Sequence, residues 1–341
     1  MSECVFPPTG YAPLADAIGR ILGTRNDVLL IQAEAAVALE AVAASLGAGA
    51  RVLNVVTSLY GRWLGEWLRR AGAEVTDLAP EPGQPVTARA VEAALAARYD
   101  MLALVHAESA YGILNPLEEI AALARARGVL LVVDAVASVG GHALAVDDLG
   151  IDVAVIGPQK ALGGSAGVSA VSVSPAAWAR VAPRGPAPSI LSLADQRALW
   201  LDAGRGALPG TPSALEFHAL AQALQRAEAE GIAAIRARHA RAARAARAGA
   251  LALTGREWVA PERASNLVTA VALPEGVSAA GLAQGELSAG VGPGGERLIR
   301  LNHTGPRARL DAVLGDLAVL GRALGVAPGA ALAAAEGAWH A

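Results

Sequence analysis

Of the 28 basic residues in this 341-residue chain, one alone, Lys160, is a lysine; the others are arginines. An arginine keeps its proton at any biological pH, whereas a lysine amine withdrawn from water loses its proton readily and becomes a nucleophile that condenses with carbonyls. Lys160 lies among glycines in GPQKALGG, and 26 residues before it Asp134 ends the aliphatic run VLLVVD. In sheets of parallel strands, ligands collect in the crevice beyond the carboxyl ends of the strands, so a strand-end acid and a loop amine face one crevice. A carboxylate there can keep the pyridine nitrogen of a vitamin B6 ring protonated, which makes the ring an electron sink, while the amine attaches to its aldehyde. The spacing alone fits equally well an aspartate closing a turn and a surface lysine on a glycine loop.

Placing the two residues in one crevice requires a sheet. From Val28 to Val173 the runs VLLI, RVLNVV, MLALVH and VLLVVD alternate with amphipathic segments. Continuous aliphatic strands are buried on both faces and helices between them make parallel crossovers, so the fold class is α/β. The runs VAVI (153–156) and VSAVSVS (168–174) are too close together for a helix between them, which predicts an antiparallel pair. Residues 183–212, rich in Pro, Gly and Ser, read as an irregular connection. One long helix is expected over 214–248, with Arg238, Arg241, Arg244 and Arg247 at every third position; at a net charge of −3 that stripe reads as a solvated face. The runs NLVTAVAL and RLIRLN with a helix over 308–324 make a small α+β domain, and the tail APGAALAAAEGAWHA is expected to fray. The resulting division is an N-terminal arm (1–25), a large cofactor-binding domain (26–225), a small C-terminal domain (226–326) and a low-complexity tail (327–341).

Composition removes several classes of function. A chain 54% hydrophobic and 17% charged is not disordered, and a net charge of −3 provides no field for nucleic acid. The longest apolar stretch, 129–146, is interrupted by Asp134, Gly140, Gly141 and His142, so no membrane span is expected. The single cysteine, Cys4, cannot form an internal disulfide, and the opening MSECVFPPTG lacks the features of an export signal, which points to the cytoplasm. Gly290, Gly292 and Gly295 satisfy G-x-G-x-x-G, but a strand-like ERLIRL follows instead of a helix, so no dinucleotide site is expected. No metal site is expected either.

The segment VVDAVASVGG followed by GIDVAVIGPQKALGGSAG resembles the part of the class V aminotransferases that carries the cofactor aspartate and the Schiff-base lysine. IQAEAAVALEAVAASL, RVLNVVTSLYGRW, VHAESAYGILNPLEEIA, LPGTPSALEFHALAQAL and RLIRLNHTGP match in the same order, spanning Leu30 to Pro306. The resemblance implies a fold-type I enzyme dependent on pyridoxal 5′-phosphate, working as a homodimer with its sites at the subunit boundary. It makes Lys160 the Schiff-base residue and Asp134 the partner of the pyridine nitrogen, and stacks Tyr60 on the ring. His106 and Ser109 then lie near the ring hydroxyl, Gln159 borders the phosphate, and Thr211 reaches the phosphate in the other subunit. Thr211 is equally suited to cap a helix that has Pro212 as its first residue. Arg300 matches the arginine that grips a substrate carboxylate, a task suited to its planar fork of donors. The implied activity moves an amino group between a small amino acid of the alanine or serine type and a small 2-oxo acid such as pyruvate or glyoxylate, with Lys160 carrying the proton. A desulfurase on the same fold needs a mobile loop cysteine, and Cys4 is badly placed for that.

One segment departs from the family. Where most relatives start a helix with a Gly/Ser/Thr cluster that cradles the cofactor phosphate, this chain has Ala33, Glu34, Ala35 and Ala36. A carboxylate about 4 Å from a phosphate charge is repelled by roughly 4 kcal/mol at an effective dielectric of ~20, against about 0.3–1 kcal/mol gained at a helix N-terminus. Either Glu34 points away from the cofactor, with Ala35 offering its backbone, or the ring carries no phosphate. The second case resembles the pyridoxamine–pyruvate aminotransferase branch, which takes unphosphorylated pyridoxamine or pyridoxal as a substrate and has a glutamate at the matching position, so that Glu34 becomes a substrate contact. IQAEAAVALEA, SLYGRW and SILSLADQRALW also resemble that branch, but Val291 stands where it has a second arginine, nine residues before Arg300. A third reading, prompted by the short start of the chain, is a cofactor-binding protein that has lost catalysis.

Overall fold

The computed structural model describes residues 5–283, 287–292 and 294–341; Cys4 lies outside them. Helix α1 (Tyr11–Leu22) follows a 3-10 turn at Pro8–Gly10 and stops at Gly23, whose left-handed backbone a glycine adopts at little cost. Then follow β1 (Asp27–Ile31), α2 (Ala35–Leu46), β2 (Arg51–Val55), α3 (Leu59–Arg70), β3 (Glu74–Leu78) and α4 (Ala88–Ala94). Strand β4 (Met101–Val105) leads to a short ribbon, β5 (Ala107–Glu108) with β6 (Ile113–Leu114), and to α5 (Leu117–Arg127). Next come β7 (Leu130–Asp134), α6 (Val146–Leu149), β8 (Val153–Ile156) and β9 (Ser169–Val173). Short helices α7 (Pro175–Trp178) and α8 (Leu193–Gln196) precede α9 (Ala214–Glu230) and α10 (Ile232–Thr254). The last part holds β10 (Val268–Ala272), α11 (Ala279–Leu282), β11 (Leu287–Ala289), β12 (Leu298–Asn302), α12 (Leu310–Ala323) and α13 (Gly329–His340).

The main sheet has the order β1-β9-β8-β7-β4-β2-β3. Strands β3, β2, β4, β7 and β8 run parallel, while β9 is antiparallel to β8, as the close spacing of the two runs predicts, and also to β1. All residues of β4 and β8 are buried, which accounts for their uninterrupted aliphatic sequences. Register places Asp134, the last residue of β7, level with Val105 on one side and Val155 on the other. Its carboxylate therefore leaves the sheet between two neutral, apolar strands.

The expected long helix is two helices. Gly231, at φ +83°, breaks it, a backbone that side chains other than hydrogen rarely adopt, and α10 then bridges two cores. Ile235 packs in the core of the main sheet, while Ala242, Ala245, Ala246, Ala250 and Leu253 pack in a second core around the sheet β10-β12-β11. The arginine stripe is not simply a solvated face. Arg238 pairs with Glu230 at 2.7 Å and donates to the Gly305 carbonyl, Arg241 lies over the Trp339 ring, and Arg247 is half-buried. The tail does not fray: α13 buries Ala331 and Ala335 against the second core, and a side chain at Gly249 would strike Leu317 and approach the Ala331 carbonyl. The short side chains that look like low complexity are what let α10, α12 and α13 approach closely. No helix among the described residues is long and apolar enough to cross a membrane.

Candidate active site

Beyond the carboxyl ends of β4, β7 and β8, against the first turns of α2 and α3, lies a cavity of about 370 Å³. Asp134 and Lys160 both line it. Asp134 is 5% exposed; its Oδ1 accepts from the Val136 amide at 2.9 Å, and its other oxygen takes no hydrogen bond among the described residues. Burial pushes this carboxyl up to about 6, the Val136 amide and the Lys160 cation oppose the rise, and the charge of Glu34 adds to it. It is thus a carboxylate at neutral pH with an open acceptor facing the cavity. Lys160 sits in a turn after β8 closed by two amide bonds, Gly163 to the Lys160 carbonyl and Gly164 to the Pro158 carbonyl. Burial lowers the proton affinity of its amine and the Arg300 cation lowers it further, against Asp134 and Glu34. Gly305, at φ +54°, abuts this turn, and a side chain there would come within 2.9 Å of the Lys160 carbonyl. The bond from Arg238 to the Gly305 carbonyl steadies that contact from α10.

The α2 end of the cavity is built differently. Glu34 caps α2, its Oε2 accepting from the Ala36 amide at 2.7 Å. Its Oε1 accepts from the Gln159 amide group at 3.1 Å, while Gln159 Oε1 is buried without a partner among the described residues. Gly157 makes room for this amide: a Cβ there would lie 2.1 Å from Gln159 Oε1. Glu34 does not point away; it lines the cavity with Ala35 and acts electrostatically on both Asp134 and Lys160. The side chains at this end present acceptors, and the carboxylate already takes the Ala36 N–H that an incoming anion would use.

Tyr60, in the first turn of α3, lines the cavity, with Trp63 edge-on to it at 5.7 Å and Trp67 further along the same face. From the last residue of β4 onward, Val105, Ala107 and Ser109 line the cavity, whereas His106 and Glu108 do not. This is the two-residue alternation of extended backbone. The His106 side chain therefore does not join the predicted constellation; its amide donates to the Asp134 carbonyl at 3.0 Å, and its ring lies 5.8 Å from His142 in a separate hollow. Burial holds His106 neutral, at about 4. Arg300, in the middle of β12, gives its Nε to the Ala289 carbonyl at 3.0 Å and one Nη to the Ser109 carbonyl at 2.9 Å. Those bonds aim the guanidinium beside a cavity-lining residue, though Arg300 stands at the rim and not among the lining residues. Thr211 is exposed and outside this cavity, and the cap of α9 is Ser213, whose amide is held by Gln32 at 2.6 Å.

Two further features border the site, the second of which escapes the sequence reading. Val291 packs against an apolar cluster that also meets Tyr60, so an apolar wall stands where a second arginine was looked for. Glu108 is a fully buried acid beside the site. Strand alternation after β4 would have turned it away from the cavity, but its hydroxyl partners lie some fifty positions away and carry no local signal.

The sequence profile of the family described as Aminotransferase class-V matches residues 17–284. A pyridoxamine–pyruvate transaminase of Mesorhizobium japonicum is 33% identical over 330 residues, covering 93% of this chain and 84% of that protein. Among solved structures, the pyridoxamine–pyruvate aminotransferase of Mesorhizobium loti superposes with a TM-score of 0.90 at 32% identity, over 97% of this chain and 88% of that one. An alanine–glyoxylate aminotransferase from Nostoc sp. gives 0.85 at 25% identity, over 94% and 90%.

Proposed function

Because the chain belongs to the class-V aminotransferase family, we propose that it moves an amino group between a small amino acid of the alanine or serine type and a small 2-oxo acid, using a vitamin B6 ring held between Asp134 and Lys160. The observation that carries the reading is that the chain's one lysine and a buried strand-end carboxylate with an open oxygen line the same cavity. A pyridine ring fits there: the open Asp134 oxygen suits a protonated ring nitrogen, Tyr60 and Val136 supply flanking surfaces, and the volume of about 370 Å³ suffices.

When bound, such a ring supplies an aldehyde or its aminated form, together with a protonated nitrogen that draws electron density from the reacting carbon. Asp134 holds that nitrogen proton in place. Lys160, its affinity for protons lowered by burial and by Arg300, takes a proton from the donor Cα and returns one to the acceptor. Arg300, braced on the Ala289 and Ser109 carbonyls, keeps donors for a substrate carboxylate. The apolar Ala107, Val136 and Ala137 line the same cavity and help keep water from the reacting atoms.

A phosphate does not fit as well as the ring does. Glu34 occupies the cap of α2 and already takes the Ala36 amide and the Gln159 amide group. This favours a second, sharper reading in which pyridoxamine and pyridoxal enter and leave unphosphorylated, the ring's hydroxymethyl group donating to Glu34. Thr211, exposed and away from its own cavity, is compatible with a homodimer in which it approaches the second copy's site.

The test is to mix purified protein with pyridoxamine and pyruvate, and separately with pyridoxal 5′-phosphate and alanine, following ring absorbance and product mass. We expect pyridoxal and alanine from the first mixture and none with Lys160→Ala. Turnover only with a retained phosphorylated cofactor would remove the unphosphorylated reading; no transfer in either mixture, across a panel of small amino acids, would remove both.

A further inference from the structure

Glu108 stands apart from the chemistry above, yet it joins the parts of the molecule that surround it. It is 0% exposed. Its Oε2 accepts from the Ser58 hydroxyl and its Oε1 from the Thr57 hydroxyl at 3.4 Å. Ser58 is the cap of α3, its oxygen accepting from the Tyr60 amide at 3.3 Å. Thr57 in turn accepts from Asn115 Nδ2 at 2.9 Å; the same nitrogen donates to the Val105 carbonyl at 2.8 Å, and Asn115 Oδ1 accepts from the Val86 amide at 3.1 Å. Through two hydroxyls, then, one carboxyl fastens the first turn of α3 to the β5–β6 ribbon.

The ribbon also carries the second core's contact with the site. Its tip residue Gly112, at φ +68°, accepts from the Ser265 amide at 2.8 Å, and a side chain there would press on the β10 backbone. Ile113 bridges Ala264, and the residue next to Glu108, Ser109, holds Arg300 by its carbonyl. Tyr60, which would face the ring, and Arg300, which would face the substrate carboxylate, thus meet mechanically at Glu108.

We propose that Glu108, as a neutral carboxylic acid, is a positioning residue for this site: by bonding the Ser58 and Thr57 hydroxyls it sets the Tyr60 ring and the Ser109 carbonyl that aims Arg300. The surroundings favour the neutral form. The two hydroxyls serve either form, both donating to an anion, or one donating while the other accepts the O–H of the neutral acid, so it is burial without a partner cation that selects the neutral form. A buried anion there would face the Asp134 carboxylate with no cation bonded to it among the described residues. Burial above all, with Asp134's charge adding, pushes the Glu108 carboxyl up to about 8 against the two hydroxyl bonds. Two carboxyls in one neighbourhood are then driven apart, Asp134 ionised and Glu108 protonated.

The inference uses the aminotransferase reading to say what Tyr60 and Arg300 are positioned for, so its test includes readouts independent of turnover. Glutamine copies a neutral carboxyl in shape, with one donor side and one acceptor side; alanine removes both. Purified wild type, Glu108→Gln, Glu108→Ala and Ser58→Ala are compared by pyridoxamine binding, read through quenching of tryptophan fluorescence beside Tyr60, and by the near-ultraviolet dichroism of the Tyr60–Trp63 pair. Glu108→Gln should bind within about threefold of wild type with the same dichroic band, while Glu108→Ala and Ser58→Ala weaken binding at least tenfold and flatten the band with helix content unchanged. With pyruvate added, Glu108→Ala should raise KM more than it lowers kcat, the signature of a misaimed Arg300. If Glu108→Gln is as impaired as Glu108→Ala, the neutral-acid form is wrong; if Glu108→Ala binds and reads as wild type, the positioning role is wrong. Should Glu108→Ala fail to fold, Glu108→Gln and Ser58→Ala still decide. Wild-type protein that binds pyridoxamine but transfers nothing would sink the aminotransferase reading while leaving the positioning result intact.

Discussion

Asp134 and Glu34 are both acids at the edge of one cavity, and they hold opposite positions in it. Asp134 ends a buried strand, is matched in register by valines on both sides, and has one oxygen left open toward the cavity. Glu34 caps an exposed helix start, and both of its oxygens are engaged, by Ala36 and by Gln159. A helix N-terminus of that kind ordinarily receives an anion from a ligand; here the chain supplies the anion itself. The comparison teaches that the fold places the crevice, while one side chain at the α2 end is, on the proposed reading, what selects a hydroxyl over a charged group there.

The sharpest break is at the Asp134 end. Lys160→Ala removes the only side-chain amine in the chain, and the rate of amino transfer should fall by about 10⁴-fold or more, the scale on which proton transfer by a positioned group acts together with loss of a nucleophile. Binding of pyridoxamine, which already carries its amine, should change far less. A loss in binding as large as the loss in rate would show that the lysine holds the ring and does not move the proton.

The next effect is on stability, because the groups that make the Asp134 end reactive are buried ones. Burial above all holds His106 and His239 at about 4 and, with neighbouring positive charge adding, His142 and His303 at about 3, below the ordinary 6.5. Each binds a proton only on unfolding, so each removes stability as pH falls below about 6.5. Asp134, raised to about 6, and Glu108, raised to about 8, act with the opposite sign: their contribution is present at low pH and is lost as pH rises through those values. Around pH 5 the unfolded chain therefore takes up 4 − 2 = 2 more protons than the folded one, a loss of roughly 3 kcal/mol per pH unit of acidification. Because the unfolded histidines are still half protonated at pH 6.5, Glu108 outweighs them only above about pH 7, a loss of roughly 0.5 kcal/mol per unit in the alkaline direction up to about pH 8. Denaturant midpoints should peak near pH 7, and Glu108→Gln should flatten the alkaline side while leaving the acid side. An unchanged alkaline slope in that variant would place the titrating group elsewhere.

At the α2 end the comparison is tested by reversing it. Glu34→Ser restores a hydroxyl cap and removes the carboxylate; pyridoxal 5′-phosphate should bind about 10- to 100-fold tighter and pyridoxamine about tenfold weaker, the scale of one or two charge-assisted hydrogen bonds. If both ligands move in the same direction, Glu34 is acting on the stability of α2 and not on the choice of ligand.

How far these two ends are legible in the sequence follows from what each rests on. Asp134 and Lys160 are readable because a buried parallel strand writes itself as an aliphatic run, and its last residue is marked by the change to a charge. Glu34 is readable as a departure, but its partner Gln159 is not, since the contact depends on the turn after β8 and on the space left by Gly157. His106 misleads because extended backbone alternates faces, so a residue adjacent in sequence to the cavity wall points away from it. Glu108 escapes because Thr57 and Ser58 come from another strand end. The same limit explains the second core: alanines and glycines in 242–250 and 329–337 carry little periodic signal, and only their close packing shows why they are small.

The smallest expected effect separates the two supports of Glu34. Gln159→Leu removes one hydrogen bond to Oε1 and leaves the Ala36 amide on Oε2, so the carboxylate stays at the cap of α2. A net hydrogen bond is worth about 0.5–1.5 kcal/mol, and this one is partly exposed, so pyridoxamine affinity should fall only about two- to fivefold. The proposed preference for the unphosphorylated ring over its phosphate should remain, because the Glu34 charge on which that proposal rests has not moved. If that preference collapses in Gln159→Leu, then Gln159 and not the α2 amide is what keeps the carboxylate in the cavity. The α2 end would then depend on the turn that carries Lys160, and the contrast between the two ends would narrow to a single loop.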